Sequence, residues 1–183
     1  MQKKLRLLIL VLVFVLVLGG AYAAYQRLRA DVDVPALPTP AELSDSFADF
    51  TVYTADGEQV KLSSLLGKPT LVNFWATWCP YCLQEFPEMQ RAFDVYGDKV
   101  NFAMVDATDG VRETVENAKG FLEENGYSFP GYYDLDTEAL NAYGVYNFPT
   151  TILFDADGTI VFRHAGAMTY EILEGQFLKL LEQ

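Results

Sequence analysis

The stretch that decides the fold is Phe74-Trp75-Ala76-Thr77-Trp78-Cys79-Pro80-Tyr81-Cys82, which follows Thr70-Leu71-Val72-Asn73. Thr70–Trp75 is a short, nearly continuous apolar run of the kind buried on both faces of a parallel sheet. A helix is predicted to begin at Pro80 and run to Tyr96. Proline suits a first helical turn because its missing N–H would have no intrahelical partner there. Cys82, Phe86, Met89, Phe93 and Tyr96 recur at three to four residues and make one inward stripe, and Gly97 stops it. The two cysteines therefore sit where a buried strand hands over to a helix.

That junction matters chemically. Unpaired amide N–H groups and the positive end of the helix dipole stabilise a thiolate and lower the pKa of a cysteine placed there. Cys79 takes the cap position, and Cys82 lies one turn further in, within disulfide reach but shielded. The expected division of labour is attack by Cys79 on a partner disulfide, then resolution of the mixed disulfide by Cys82. The chain has 2 Cys in all, three positions apart. A pair that close staples almost nothing, so it points to redox chemistry or half of a zinc site. A structural zinc needs four ligands, and His164 is the 1 His of the chain. No metal and no bound cofactor are therefore expected.

Outward from the junction, Phe50–Thr54 and Gln59–Leu62 flank Asp56-Gly57 and read as a hairpin. Val100–Asp106 is a further strand. Val111–Asn125 reads as a helix with Val111, Val115, Ala118 and Leu122 inward and Gly126 at its end. A short strand near Tyr132 and a helix over Thr137–Tyr143 lead into strand Thr150–Phe154, a turn at Asp155–Gly158 and strand Thr159–His164. Ile172, Leu173, Phe177, Leu180 and Leu181 mark a closing helix. Alternating strands and helices, then a hairpin and a helix, define an α/β class with a central mixed sheet covered on both faces.

The N-terminus is of a different kind. Leu7–Tyr25 is an uncharged, mainly apolar run, about 28 Å long as a helix against a bilayer core of roughly 30 Å. Residues 1–30 read as a membrane anchor, with the competing reading a signal peptide cleaved after Ala21-Tyr22-Ala23. Both export the body. Residues 31–46, with Pro35, Pro38 and Pro40, read as a linker, and residues 47–183 as the folded domain. The anchor carries five bases and no acid, which leaves eight bases against 25 acids in the rest. So acidic a body repels nucleic acid.

The motif Phe74–Cys82, Pro87 five residues after Cys82, and Phe148-Pro149-Thr150-Thr151 together resemble the thioredoxin superfamily. The likeness is to its membrane-anchored TlpA/ResA-like branch of thiol–disulfide oxidoreductases, and it runs from about Phe50 to the C-terminus. It implies a thioredoxin-like fold with a leading hairpin and a helix-strand insert between Asp106 and Tyr143. It implies extracytoplasmic reduction of protein disulfides, often in cytochrome c maturation, with electrons from a membrane thiol donor. It also implies that Pro149 is a cis-proline facing the cysteines, exposing the Phe148 backbone for pairing with the substrate chain. Trp78, Pro80 and Tyr81 would then belong to the contact surface.

Asn73 stands where thioredoxin has a buried Asp, a substitution that TlpA/ResA-like members share. Pro80 stands where some cytochrome-maturation members carry Glu. Glu85 could relay a proton to Cys82, although lone acids such as Glu85 and Glu88 on a helix read first as a solvated face. Trp75 reads as core and His164 as an exposed strand residue. Three other functions remain: a dithiol oxidase or isomerase of exported proteins, a copper chaperone of the same fold, and a redox-inert docking module. A thiol peroxidase would carry Thr three residues before its reactive cysteine, where this chain has Ala76.

Overall fold

The computed structural model describes residues 2–30 and 48–182, with the side chains at 2–5, 7, 8, 11 and 24–30 outside that description. The expected linker, 31–46, also lies outside it. Two units are present, Met1–Leu37 and Pro38–Gln183.

The first unit contains helix α1, Gln2–Ala30, which encloses the uncharged run. Ile9, Leu10 and every residue from Leu12 to Leu18 are exposed along it. Among the described residues no helix is long and apolar enough to cross a membrane.

The second unit is built on a seven-stranded sheet in the order β2-β1-β5-β4-β3-β6-β7. Its strands are β1 (Thr51–Tyr53), β2 (Gln59–Lys61), β3 (Thr70–Trp75), β4 (Asn101–Asp106), β5 (Gly131–Tyr133), β6 (Thr150–Phe154) and β7 (Ile160–Ala165). β3, β4 and β5 run parallel, while β1 and β6 pair antiparallel to β5 and β3. Every residue of β3 and of β6 is buried, because helices or loops cover both faces of the sheet centre. β7, at the edge, alternates half-buried and exposed positions.

Helices α2 (Pro80–Tyr96), α3 (Val115–Glu124) and α5 (Tyr170–Leu181) cover one face, contributing Phe86, Met89, Ala118, Leu122, Leu173 and Phe177 to its core. On the opposite face Phe50, Leu62 and residues of helix α4 (Glu138–Ala142) pack on Val72, Phe74 and Ile152. Phe86 is the hub of the first core: its ring lies 4.8 Å from Trp75, 5.2 Å from Tyr127 and 5.3 Å from Phe129. Edge-on aromatic packing of this kind adds about 0.5–1.5 kcal/mol per pair beyond area burial.

One sequence expectation needs correction here. Val111 is not an inward helical residue: it is 90 % exposed, and α3 starts only after Thr114. The four-residue spacing extends back to Val111, but Thr114 Oγ1 caps the helix by accepting from the Asn117 N–H, and a turn around Asp109 uses the residues before it. The closing helix is present as α5; Leu173 and Phe177 are buried in it, while Ile172 and Leu181 are exposed. Gly126 does end α3, at a φ of +71° that side chains rarely adopt.

The order of strands places the site. β3 and β4 run parallel and β6 antiparallel to β3, so the end of β3, the end of β4 and the start of β6 lie at one end of the sheet. Phe74 is in register with both Val105 and Thr150. Three connections therefore meet there: 76–79, 107–114 and 143–149.

Candidate active site

Cys79 is the N-cap of α2, in extended conformation, with Pro80 opening the helix. Its Sγ accepts from the Cys82 N–H at 3.1 Å, so an amide of the first turn, which also donates to the Cys79 carbonyl at 3.1 Å, points at the sulfur. Cys79 and Cys82 are joined in a disulfide with Cα atoms 5.3 Å apart. Cys79 keeps 3 % of its surface accessible and Cys82 none. Of the pair only Cys79 reaches solvent, as expected for a cap and an inward residue one turn apart.

Around the disulfide lie the other residues of the sequence reading. Trp78 is 38 % and Tyr81 65 % exposed. The Trp78 ring meets Phe148 edge to face at 5.8 Å. The Phe148–Pro149 peptide bond is cis, and the Pro149 carbonyl accepts from the Gly166 N–H at 2.8 Å. The 143–149 connection is thereby held beside the cysteine-bearing one. Trp75 is fully buried, as core.

Glu85 overturns its first reading as part of a solvated face: it is 1 % exposed. The stripe that carries Cys82 also carries Glu85 inward, one helical turn on. Its carboxylate accepts from the Met168 N–H (2.9 Å) and from Asn73 Nδ2 (2.9 Å), and the same Asn73 amide donates to Thr151 Oγ1 (2.9 Å). Burial pushes the Glu85 carboxyl up to about 7, against the opposing pull of the hydrogen bonds from Met168 and Asn73. Glu88 is half-buried and accepts from the Tyr170 N–H at 3.1 Å. His164 is half-buried rather than exposed, stacked on Phe162 with ring centroids 6.2 Å apart. Among the described residues no group of three or more His, Cys, Asp or Glu side chains is placed to hold a metal ion.

Residues 43–163 match the AhpC/TSA family. The chain belongs to that family. It is 34% identical over 182 residues to the thiol-disulfide oxidoreductase ResA of Bacillus thuringiensis (strain Al Hakam), covering 98% of this chain and 99% of that protein. Among solved structures it resembles a putative thiol:disulfide interchange protein DsbE from Chlorobium tepidum, with a TM-score of 0.67 and 31% identity over 75% of this chain and 96% of that one. It also resembles a secreted Mycobacterium tuberculosis disulfide oxidoreductase homologous to Escherichia coli DsbE. That match has a TM-score of 0.63 and 28% identity, over 72% of this chain and 96% of that one. The chain is a thioredoxin-like thiol–disulfide oxidoreductase.

The oxidoreductase has site residues that sequence reasoning missed. Glu113, fully buried, accepts from the Thr77 N–H (2.8 Å) and the Thr77 hydroxyl (2.8 Å), which ties the β4–α3 connection to the segment just before Cys79. Asp106, the last residue of β4, is also buried and accepts from the Thr108 hydroxyl at 2.6 Å. Burial pushes its carboxyl up to about 8; the Thr108 bond opposes this, and the charges of Glu113 and Asp109 add to it. Arg112 lies 4.1 Å over the Trp78 ring. The available signal was Asp109-Gly110, a turn pair immediately before what the apolar spacing presented as a helix from Val111.

Proposed function

We propose that the chain is a membrane-anchored, extracytoplasmic reductase of protein disulfides, with cytochrome c maturation among its uses. The observation that carries the chemistry is the Cys79–Cys82 disulfide at the N-terminus of α2, one helical turn from the buried Glu85 carboxyl. In the reduced enzyme the Cys79 thiolate, stabilised by first-turn amides, attacks a substrate disulfide. One substrate sulfur becomes bonded to Cys79, and the other leaves as a thiolate that takes a proton. Cys82 then loses its proton to Glu85 and attacks the Cys79 sulfur. The second substrate thiolate departs, and the enzyme is left oxidised by two electrons. A dithiol donor in the membrane restores the reduced pair.

Residues three apart on a helix share a face, which puts Glu85 beside Cys82. A carboxyl poised near 7 is suited to take and return a proton at neutral pH. Trp78, Pro80, Tyr81, Phe148 and Pro149 form the surface on which the substrate chain lies. The location rests on the uncharged Leu7–Tyr25 run and the exposed apolar side chains of α1, and on likeness to a relative whose name calls it secreted.

The deciding measurement is the equilibrium reduction potential of the Cys79/Cys82 pair in the full chain, with the Cys79 pKa alongside. A value near about −270 mV or lower fits a reductant, whereas a value near about −120 mV with a strongly acidic Cys79 means an oxidase and overturns the reducing direction. Client chemistry is read separately, by recovering mixed disulfides from a Cys82→Ser chain. Their absence would remove protein disulfides as the substrate.

A further inference from the structure

The connection between β4 and α3 has no part in the thiol chemistry just described, yet it is built as a rigid hook at the same end of the sheet. Asp109 Oδ1 accepts from the N–H groups of Val111 (2.7 Å), Arg112 (2.7 Å) and Glu113 (2.9 Å). The N–H groups of Asp109 and Gly110 donate back to the Glu113 carbonyl, at 3.1 and 2.9 Å. Gly110 closes the turn at a φ of +72°. Five hydrogen bonds within five residues fix where the next two side chains start.

Those side chains do different things. Glu113 turns inward and clamps the Thr77 amide and hydroxyl, two residues before Cys79. Arg112 turns along the surface and lays its guanidinium over the Trp78 indole, 4.1 Å from the ring centroid. The other aromatic neighbour of Trp78 is Phe148, edge to face at 5.8 Å. Guanidinium, indole and phenyl are thus linked through the indole. The contacts connect the hook, the residue before Cys79 and the residue before Pro149.

We propose that Arg112 is a positioning residue for substrate docking: it holds the Trp78 indole as a fixed platform beside Cys79, on which an extended segment of a disulfide-bearing protein lies. An indole 38 % exposed and supported by Phe148 alone has freedom to rotate away from that position. A guanidinium over an exposed ring favours the held orientation by about 2–5-fold, the cation–π range for such sites converted to a population ratio. Arginine suits the task better than lysine, because its planar group stacks on an aromatic face. Val111, at the tip of the hook, is also exposed.

The inference rests on protein disulfides being the substrate. Its test is single-turnover reduction of a synthetic peptide carrying an intramolecular disulfide, by the reduced full chain in detergent micelles, across peptide concentration. Arg112→Ala is expected to raise the half-saturating peptide concentration about 2–5-fold, while the limiting rate moves less than about 2-fold. Arg112→Lys, which keeps the charge and loses the planar stack, recovers part of that loss. In a Trp78→Ala background Arg112→Ala has no further effect, because its action runs through the indole.

Equal effects of Arg112→Ala with and without Trp78 would overturn the proposal. So would an unchanged half-saturating concentration, or a shift in the Cys79 pKa that accounts for the whole change in rate. If the unsubstituted chain shows no saturable exchange with the peptide, the substrate reading itself fails and this one falls with it. Failure of the present proposal alone leaves that saturation intact.

Discussion

Glu85 shows what one buried carboxyl does to the whole enzyme. Its carboxyl is pushed from 4.5 in the unfolded chain to about 7 in the folded one, mainly by burial. Between those values the folded state holds a proton that the unfolded state has released, so stability falls as pH rises through the window. The oxidised protein is therefore expected to lose on the order of 3 kcal/mol from this group between pH 4.5 and 7. Asp106, raised from 3.8 to about 8, acts in the same direction up to a higher pH. In Glu85→Gln, thermal unfolding scanned across pH should show a shallower decline in this window, and an unchanged slope would disprove the assignment. The substitution keeps the side chain's size, and since Asn73 Oδ1 is buried with no partner among the described residues, turning over the Asn73 amide lets it accept from the new Gln Nε2 and the Thr151 hydroxyl, at the cost of the bonds Nδ2 makes now. The same variant should slow resolution of the mixed disulfide while leaving its formation at Cys79 almost unchanged, as stopped-flow traces with a peptide disulfide would resolve. A loss confined to the first step would exclude the relay.

At the scale of elements, the β4–α3 connection and the helix after it test how the fold reads its own sequence. Val111 and Leu122 look equivalent in the apolar spacing, yet one is 90 % exposed and the other is in the core. Val111→Ser should leave stability within about 0.5 kcal/mol of the parent, whereas Leu122→Ala should cost about 2–5 kcal/mol. Chemical denaturation of both decides it, and comparable losses would mean that α3 begins where the spacing alone suggested. Thr77→Val probes the other end of the hook. It removes the hydroxyl that Glu113 binds and leaves a buried carboxylate with one hydrogen bond fewer, for a loss of about 1–3 kcal/mol. Because the clamp sits two residues before Cys79, that variant should also show greater protease sensitivity at the 107–114 connection.

For the whole molecule, the apolar N-terminal helix and the acidic body make separate predictions. If α1 anchors the chain, Leu12→Arg with Leu16→Arg places two charges where insertion costs about 2.5–3.5 kcal/mol each. The doubly substituted chain should leave the membrane pellet after a carbonate wash, with its catalytic domain still redox-active in the supernatant. Parent chain in the soluble fraction would sink the anchor. The acidic body, at a net charge of −12 for the full chain, leaves recognition of partners to the local surface around Cys79 rather than to long-range attraction of anions.

Much of this was determined by the sequence alone. Thr70–Trp75, Pro80–Tyr96 and Thr150–Phe154 appear with the predicted boundaries, because a continuous apolar run and a three-to-four spacing opened by proline are local signals with few alternatives. The cysteine pair at the strand–helix junction was legible for the same reason. Only the tertiary structure decided what surrounds it. Glu85 lies one helical turn past Cys82 on the inward side of α2, but a carboxylate there has no partner that the helix itself supplies. Its burial depends on Met168, 83 residues away, and on Thr151 reaching Asn73 from β6. Glu113 and Arg112 depend likewise on the parallel register of β3 with β4, which brings the end of one strand beside the end of the other. Apolar periodicity records which face of an element is buried; it carries no record of which distant polar group waits there, and that pairing is what turns a shared fold into this site.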